Sequence, residues 1–153
     1  MGGDFDHRWT QAREAVEAMK EMWTKDEAEY HGHYYDFPKV QVFPKPVQKP
    51  HPPVFLGGAA TNVFKRVVTY GDGWMPVRAT PESIKAGRAA MDELADAAGR
   101  DPKSIDILVY GASSRVEIKR MEDAGATMAT VRLSSTEPGE VMNGLEKLAE
   151  DML

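Results

Sequence analysis

The residues best suited to chemistry stand in four short segments, each just behind an apolar run. Behind Val54-Phe55-Leu56 comes Gly57-Gly58-Ala59-Ala60-Thr61. Glycines there let backbone amides approach an anion, and a helix opening near Thr61 would add the positive end of its dipole. The segment is therefore a candidate cradle for a cofactor phosphate or ring edge, although a tight strand-to-helix turn has the same spelling. Behind Trp74-Met75-Pro76-Val77 stands Arg78, whose planar fork suits a substrate carboxylate or phosphate. A solvated loop charge near a helix start is the competing reading. Ser113, with Ser114 and Arg115, and Arg132, with Ser134 and Ser135, are further candidates for substrate contacts. Hydroxyl-rich loops of this kind also serve simply as helix caps.

Other chemistries are disfavoured. His31 and His33, two apart and near Asp36, would share a face on a strand, but aromatic hairpins are common packing elements and no third ligand is fixed nearby. We expect no metal. The sequence has no cysteine, no Ser-His-Asp order, no P-loop and no dinucleotide fingerprint. A net charge of −5 and a pI near 5.4, with both signs interspersed, argue against a nucleic-acid partner. No apolar run reaches the roughly 18 to 20 residues that cross a bilayer, and residues 1–8 lack the apolar core of a signal peptide. We expect a cytoplasmic protein with no membrane partner, in which redox chemistry would need an organic cofactor.

These segments need elements to hold them. Trp9, Ala12, Val16, Met19 and Trp23 recur at helical spacing, with Arg13, Glu14, Glu17, Lys20 and Glu21 on the other faces, so residues 8–24 read as an amphipathic helix. Aromatic and β-branched residues around Gly32, from Glu29 to Val42, suggest a small hairpin. Residues 43–53 hold five prolines and form a stiff connector. Four strand-then-helix units follow. Their strands are expected at Val54–Leu56, Trp74–Val77, Ile105–Tyr110 and Thr127–Leu133. Their helices are expected near 61–70, from the Thr80 cap and Pro81 to Gly99, near 115–124 after a turn at Gly111-Ala112-Ser113-Ser114, and beyond Pro138. The inner stripe of the second of these helices, from Pro81 to Gly99, is read as Ile84, Gly87, Met91, Leu94 and Ala98. Strands alternating with helices imply an α/β fold with a parallel sheet, in one domain over 1–153. Periodicity alone leaves open a doubly wound sheet or part of a (β/α)8 barrel.

The choice comes from a series of motifs: Tyr30-His31-Gly32-His33-Tyr34-Tyr35, Pro44-Lys45-Pro46-Val47-Gln48-Lys49-Pro50, Pro52-Pro53-Val54-Phe55-Leu56-Gly57-Gly58, and Gly71-Asp72-Gly73-Trp74. In this order they resemble the luciferase-like monooxygenase family, and within it the branch associated with the deazaflavin coenzyme F-420. The resemblance implies half of a (β/α)8 TIM barrel: strands five to eight, parallel, preceded by a helix and a small hairpin. Since a whole barrel takes about 250 residues, the first four strands, and the fourth-strand glycine-rich phosphate loop, would lie outside this sequence. Coenzyme F-420 is then the expected cofactor, with FMN the alternative, bound at Gly57, Gly58, Ala59, Ala60 and Thr61. Members often carry Ser or Thr where Ala60 stands, so the backbone of Gly58 and Ala59, helped by Thr61 or Asn62, would have to hold the phosphate. Arg78, Ser113 and Arg132 would meet a small organic substrate. The implied activity is hydride transfer or monooxygenation, weak or absent in this portion alone. The alternative is a non-catalytic half-barrel that self-associates, as a homodimer, to cover its open edges and inner face.

Overall fold

The computed structural model describes residues 4–59, 62–112, 114–133 and 137–152. It divides into two compact units, Met1–Val54 and Phe55–Leu153. Among the described residues no helix is long and apolar enough to cross a membrane.

The first unit holds the expected helix α1 (Arg8–Thr24) and an antiparallel hairpin of β1 (Ala28–His31) and β2 (Asp36–Val40). Val16 and Ala18 are buried as an amphipathic helix requires, but so is Glu14, assigned above to a polar face and only 6% exposed. The cause is backbone chemistry in the hairpin turn. Glu14 Oε2 accepts the Tyr34 N–H at 2.7 Å. A side chain on Gly32 would stand 2.4 Å from that oxygen, so the turn needs glycine there. The Tyr34 amide, against the opposing effect of burial and with help from the His33 and Tyr35 amides, holds the Glu14 carboxyl below its ordinary pKa. One turn along, Glu17 accepts the Tyr30 hydroxyl at 2.7 Å. Burial, then this bond, pushes the Tyr30 phenol up to about 12. His31 pairs with Asp36 across the strands at 2.6 Å, and His33 lies edge-on to Tyr34. The described residues contain no group of three or more metal-ligating side chains. From the proline connector Lys45 donates to the carbonyls of Met22, at 2.8 Å, and Lys25, closing the free end of α1.

The second unit is a four-stranded parallel sheet in the order β3 (Phe55–Gly57), β4 (Gly73–Met75), β5 (Asp106–Ala112), β6 (Met128–Val131). Helices α2 (Val63–Tyr70), α3 (Pro81–Ala97) and α4 (Arg115–Asp123) follow β3, β4 and β5, and α5 (Pro138–Met152) follows β6. Strand β4 stops at Met75 because Pro76 has no N–H to donate. Strand β5 does not turn at Gly111, as expected, but runs through it to Ala112. A short 3-10 turn, Pro102–Ser104, enters β5.

Helix α3 has the punctuation its sequence promised. Thr80 and Ser83 form a reciprocal capping box, with Pro81 in the first turn. At its far end Gly99 takes φ +68°, and the amides of Gly99 and Arg100 return to the carbonyls of Asp96 and Ala95. Gly125, at φ +110°, closes α4 in the same way through Glu122 and Met121. The buried stripe of α3 is Ile84, Gly87, Met91 and Ala95. Leu94 and Ala98 are exposed instead, because steps of three, four and four hold one narrow line that they lie beside.

The core lies between the sheet and α2, α3 and α4, and Trp74 is its centre. The indole is 4% exposed, edge-on to Phe64 with ring centroids 4.9 Å apart. It presses so closely on α3 that a Cβ at Gly87 would sit 2.4 Å from Trp74 Cζ3. On the opposite sheet face Gly73 gives way to Phe55, whose Cε1 lies 2.3 Å from where a Gly73 Cβ would be. Arg100 completes this corner, its guanidinium donating to the carbonyls of Val67, Val68 and Gly71 at 3.1, 3.0 and 2.8 Å.

Two outcomes follow from this packing. Gly87→Ala gains about 1 kcal/mol of helix propensity, but the clash with a tethered indole costs about 1–3 kcal/mol. The clash wins, and a net loss is expected in the urea midpoint; a stabilised variant would contradict it. The depressed Glu14 pKa stabilises the fold fully above the carboxyl's unfolded value, and that contribution is lost as pH falls through the folded value. Wild type should therefore exceed Glu14→Gln in stability at pH 7, with the gap shrinking toward pH 3. An equal gap at both pH values would remove Glu14 from this role.

Candidate functional site

Because all four strands run the same way, their carboxyl ends share one rim. Gly57 pairs with Met75 in register, which brings the Gly57-Gly58-Ala59 segment and the loop carrying Arg78 to the same edge. Arg132, directly after β6, is exposed there too. Ala60, Thr61 and Ser113 lie outside the described residues.

Left-handed backbone serves different ends at the two rims. Gly99 and Gly125 adopt positive φ only to close helices on the opposite side. On the carboxyl rim the loops after β3 and β4 and the end of β5 each contain one such residue: Gly58 at φ +106°, Arg78 at +54° and Gly111 at +76°. Among the described residues Arg78 is the one non-glycine in this region, a conformation costing about 1–3 kcal/mol. Such strain persists where surrounding structure imposes it, and it concentrates at ligand sites. The Arg78 side chain is exposed.

The Gly58 kink is held from both sides. Its amide donates to Met75 O at 3.3 Å, and its carbonyl accepts Trp74 Nε1–H at 2.8 Å. What remains open is the flank where a side chain would be, with nothing within 4 Å of an added Cβ. Helix α2 begins just beyond, and Asn62 provides no side-chain cap for it. By contrast α3 has its Thr80 box, and Ser114 accepts the Glu117 N–H at 3.2 Å to cap α4. Among the described residues the start of α2 thus lacks the side-chain cap that the starts of α3 and α4 carry. Near α3, the Glu82 carboxyl is held below its ordinary pKa by its own backbone amide and then the Thr80 hydroxyl.

One rim residue escaped the sequence reading. Val109 pairs with Ala129 and Ala112 with Val131, so three steps on β5 match two on β6. The extra residue is a β-bulge at Tyr110-Gly111, uncommon in parallel pairs. The Gly111 amide donates to Thr130 Oγ1 at 3.1 Å. Alternation puts Ile107 and Val109 in the helix-covered core, and Tyr110 on the opposite face, 66% exposed. The signal was a glycine inside an apolar strand run, which marks a bulge as readily as a turn.

The arrangement combines an open glycine kink, an uncapped helix start, exposed guanidinium groups and an exposed aromatic ring. These groups suit an anion attached to a planar ring. A family model described as luciferase-like monooxygenase matches residues 1–134. An uncharacterized protein of Mycobacterium tuberculosis is 30% identical over 162 residues, covering 100% of this chain and 55% of its own length. The FMNH(2)-dependent dimethylsulfone monooxygenase of Pseudomonas putida is 35% identical over 94 residues, which are 57% of this chain and 26% of that protein. Among solved structures, an F420-dependent secondary alcohol dehydrogenase in complex with an F420-acetone adduct superposes with a TM-score of 0.76 at 19% identity, over 99% of this chain and 63% of that one. That last likeness is one of fold. The chain spans about half the length, 55%, of the first of these relatives. With the rim geometry and a family model spanning most of its length, the chain belongs to the luciferase-like monooxygenase family.

Proposed function

We propose that the carboxyl rim of this sheet is one wall of a flavin-type cofactor site, and that the chain carries strands five to eight of a (β/α)8 barrel oxidoreductase. The cofactor is coenzyme F-420, with FMN as the alternative. The observation that carries this reading is the uncapped start of α2 beside the open flank of Gly58. Gly58, Ala59 and the opening amides of α2, with Ala60 and Thr61, hold the cofactor phosphate or ring edge. Arg78 and Arg132, with Ser113, meet the substrate's anionic or polar groups. A bound flavin or deazaflavin supplies hydride transfer or oxygen activation; the chain supplies position and electrostatics. Alone, it is weakly active or inactive on a small organic substrate.

A second reading has its own support. Tyr110, 66% exposed, and Met128, 47% exposed, lie on the sheet face opposite the helices, and β3 and β6 are the outer strands of the sheet. Self-association into a homodimer would cover both. Light scattering across a concentration series separates the readings: a stable dimer indifferent to FMN and coenzyme F-420 would support assembly alone.

The cofactor reading expects FMN or coenzyme F-420 to bind the 153-residue chain with affinity that falls as salt rises, since screening weakens phosphate contacts. Gly58→Ala, strained at φ +106°, should bind about tenfold more weakly, about 1.4 kcal/mol. Arg78→Gly should raise stability by about 1 kcal/mol, because relief of about 1–3 kcal/mol outweighs the roughly 0.5–1 kcal/mol of unfolded-state entropy that glycine adds. The same change should weaken carboxylate- or phosphate-bearing substrate analogues several-fold. Salt-independent binding, or an Arg78→Gly variant with full affinity, would count against the assignment.

A further inference from the structure

We infer that Tyr110 is the aromatic wall of the site, the side chain against which the planar isoalloxazine-type ring rests. The inference rests on the cofactor reading above. Three observations carry it. Tyr110 lies on the sheet face opposite the helix-covered core, yet it is 66% exposed within a strand. None of the side-chain hydrogen bonds or ring contacts among the described residues involves it, whereas Tyr30 is tied to Glu17 and Tyr34 to His33. The bulge is built around it: Gly111 at φ +76° breaks the alternation, and the Thr130 hydroxyl takes up the Gly111 amide. A parallel strand that spends an extra residue and a side-chain hydrogen bond at its carboxyl end re-aims one side chain toward the rim.

The register sharpens this placement. Gly73 pairs with Asp106 and Trp74 with Ile107, so Met75, the last residue of β4, is level with Leu108. Strand β5 runs on past that level through Val109, Tyr110 and Gly111 to Ala112. Tyr110 therefore stands beyond the end of the neighbouring strand, on the side where the loop carrying Arg78 begins. An exposed phenol ring stacks on or meets a π-face edge-on, and it recognises ring shape rather than one hydrogen-bond pattern. That tolerance suits a flavin and a deazaflavin equally. Tyr110 is thus a binding residue for the ring, complementary to the phosphate contacts near Gly58.

The test uses the full chain with FMN and with the 5-deaza analogue of FMN, reading both dissociation constant and the emission lifetime of the bound ring. A phenol in contact with an excited flavin quenches it by electron transfer, which phenylalanine does not do. Tyr110→Phe should keep the dissociation constant within about twofold while lengthening the bound FMN lifetime several-fold, and Tyr110→Ala should weaken both ligands about tenfold. At 66% exposure the position tolerates either change, and circular dichroism checks the fold. If wild type binds and its lifetime and affinity match those of both variants, Tyr110 is not the wall while the cofactor reading stands. If wild type binds neither ligand, the cofactor reading fails and the wall with it.

Discussion

The hydrogen bond from the Trp74 indole to the Gly58 carbonyl joins core and rim in a single contact of 2.8 Å. One end of Trp74 is fixed by packing against Phe64 and the bare surface of Gly87. With the indole only 4% exposed, its N–H needs a partner within the protein. Gly58 supplies that partner at φ +106°, a conformation that a glycine adopts without strain. The kink at the rim is thereby set by the core. The Gly71-Asp72-Gly73-Trp74 motif belongs to the same arrangement. Gly71 lies close against Val67, the Asp72 carbonyl accepts the Asp106 amide, Gly73 admits Phe55, and Trp74 reaches back to Gly58.

Rigid placement from below leaves the rim free to hold strain above. Arg78 and Gly111 occupy left-handed backbone beyond the ends of β4 and within β5, while the opposite rim spends its left-handed glycines on helix closure. Helix-closing glycines thus lie at one edge of the sheet and left-handed loop residues at the other, where the proposed ligand contacts fall, the division expected where loops carry function on a fixed scaffold.

Local grammar made much of this legible in the residues. Thr80, Pro81 and Gly99 bound α3 because caps act through the backbone of their own helix. The proline-rich stretch 43–53 and the strand-helix alternation were equally local, and the motif series identified the family. What escaped depended on partners distant in sequence. Glu14 looks like any surface carboxylate until a hairpin 20 residues away offers it three amides. Gly111 reads as a turn until the register with β6 makes it a bulge, and Tyr110 then becomes a rim residue. Leu94 and Ala95 differ by one position, and only the close approach of Trp74 to Gly87 selects the narrower stripe.

The account is tested most directly by amide chemical-shift mapping of the isotopically labelled chain during titration with FMN. Shifts should concentrate at Gly58, Ala59, Arg78, Tyr110 and Gly111, with Gly99 and Gly125 on the far rim unmoved. Shifts centred on Gly99 and Gly125, or none at all, would contradict the assignment of the carboxyl rim as the cofactor wall.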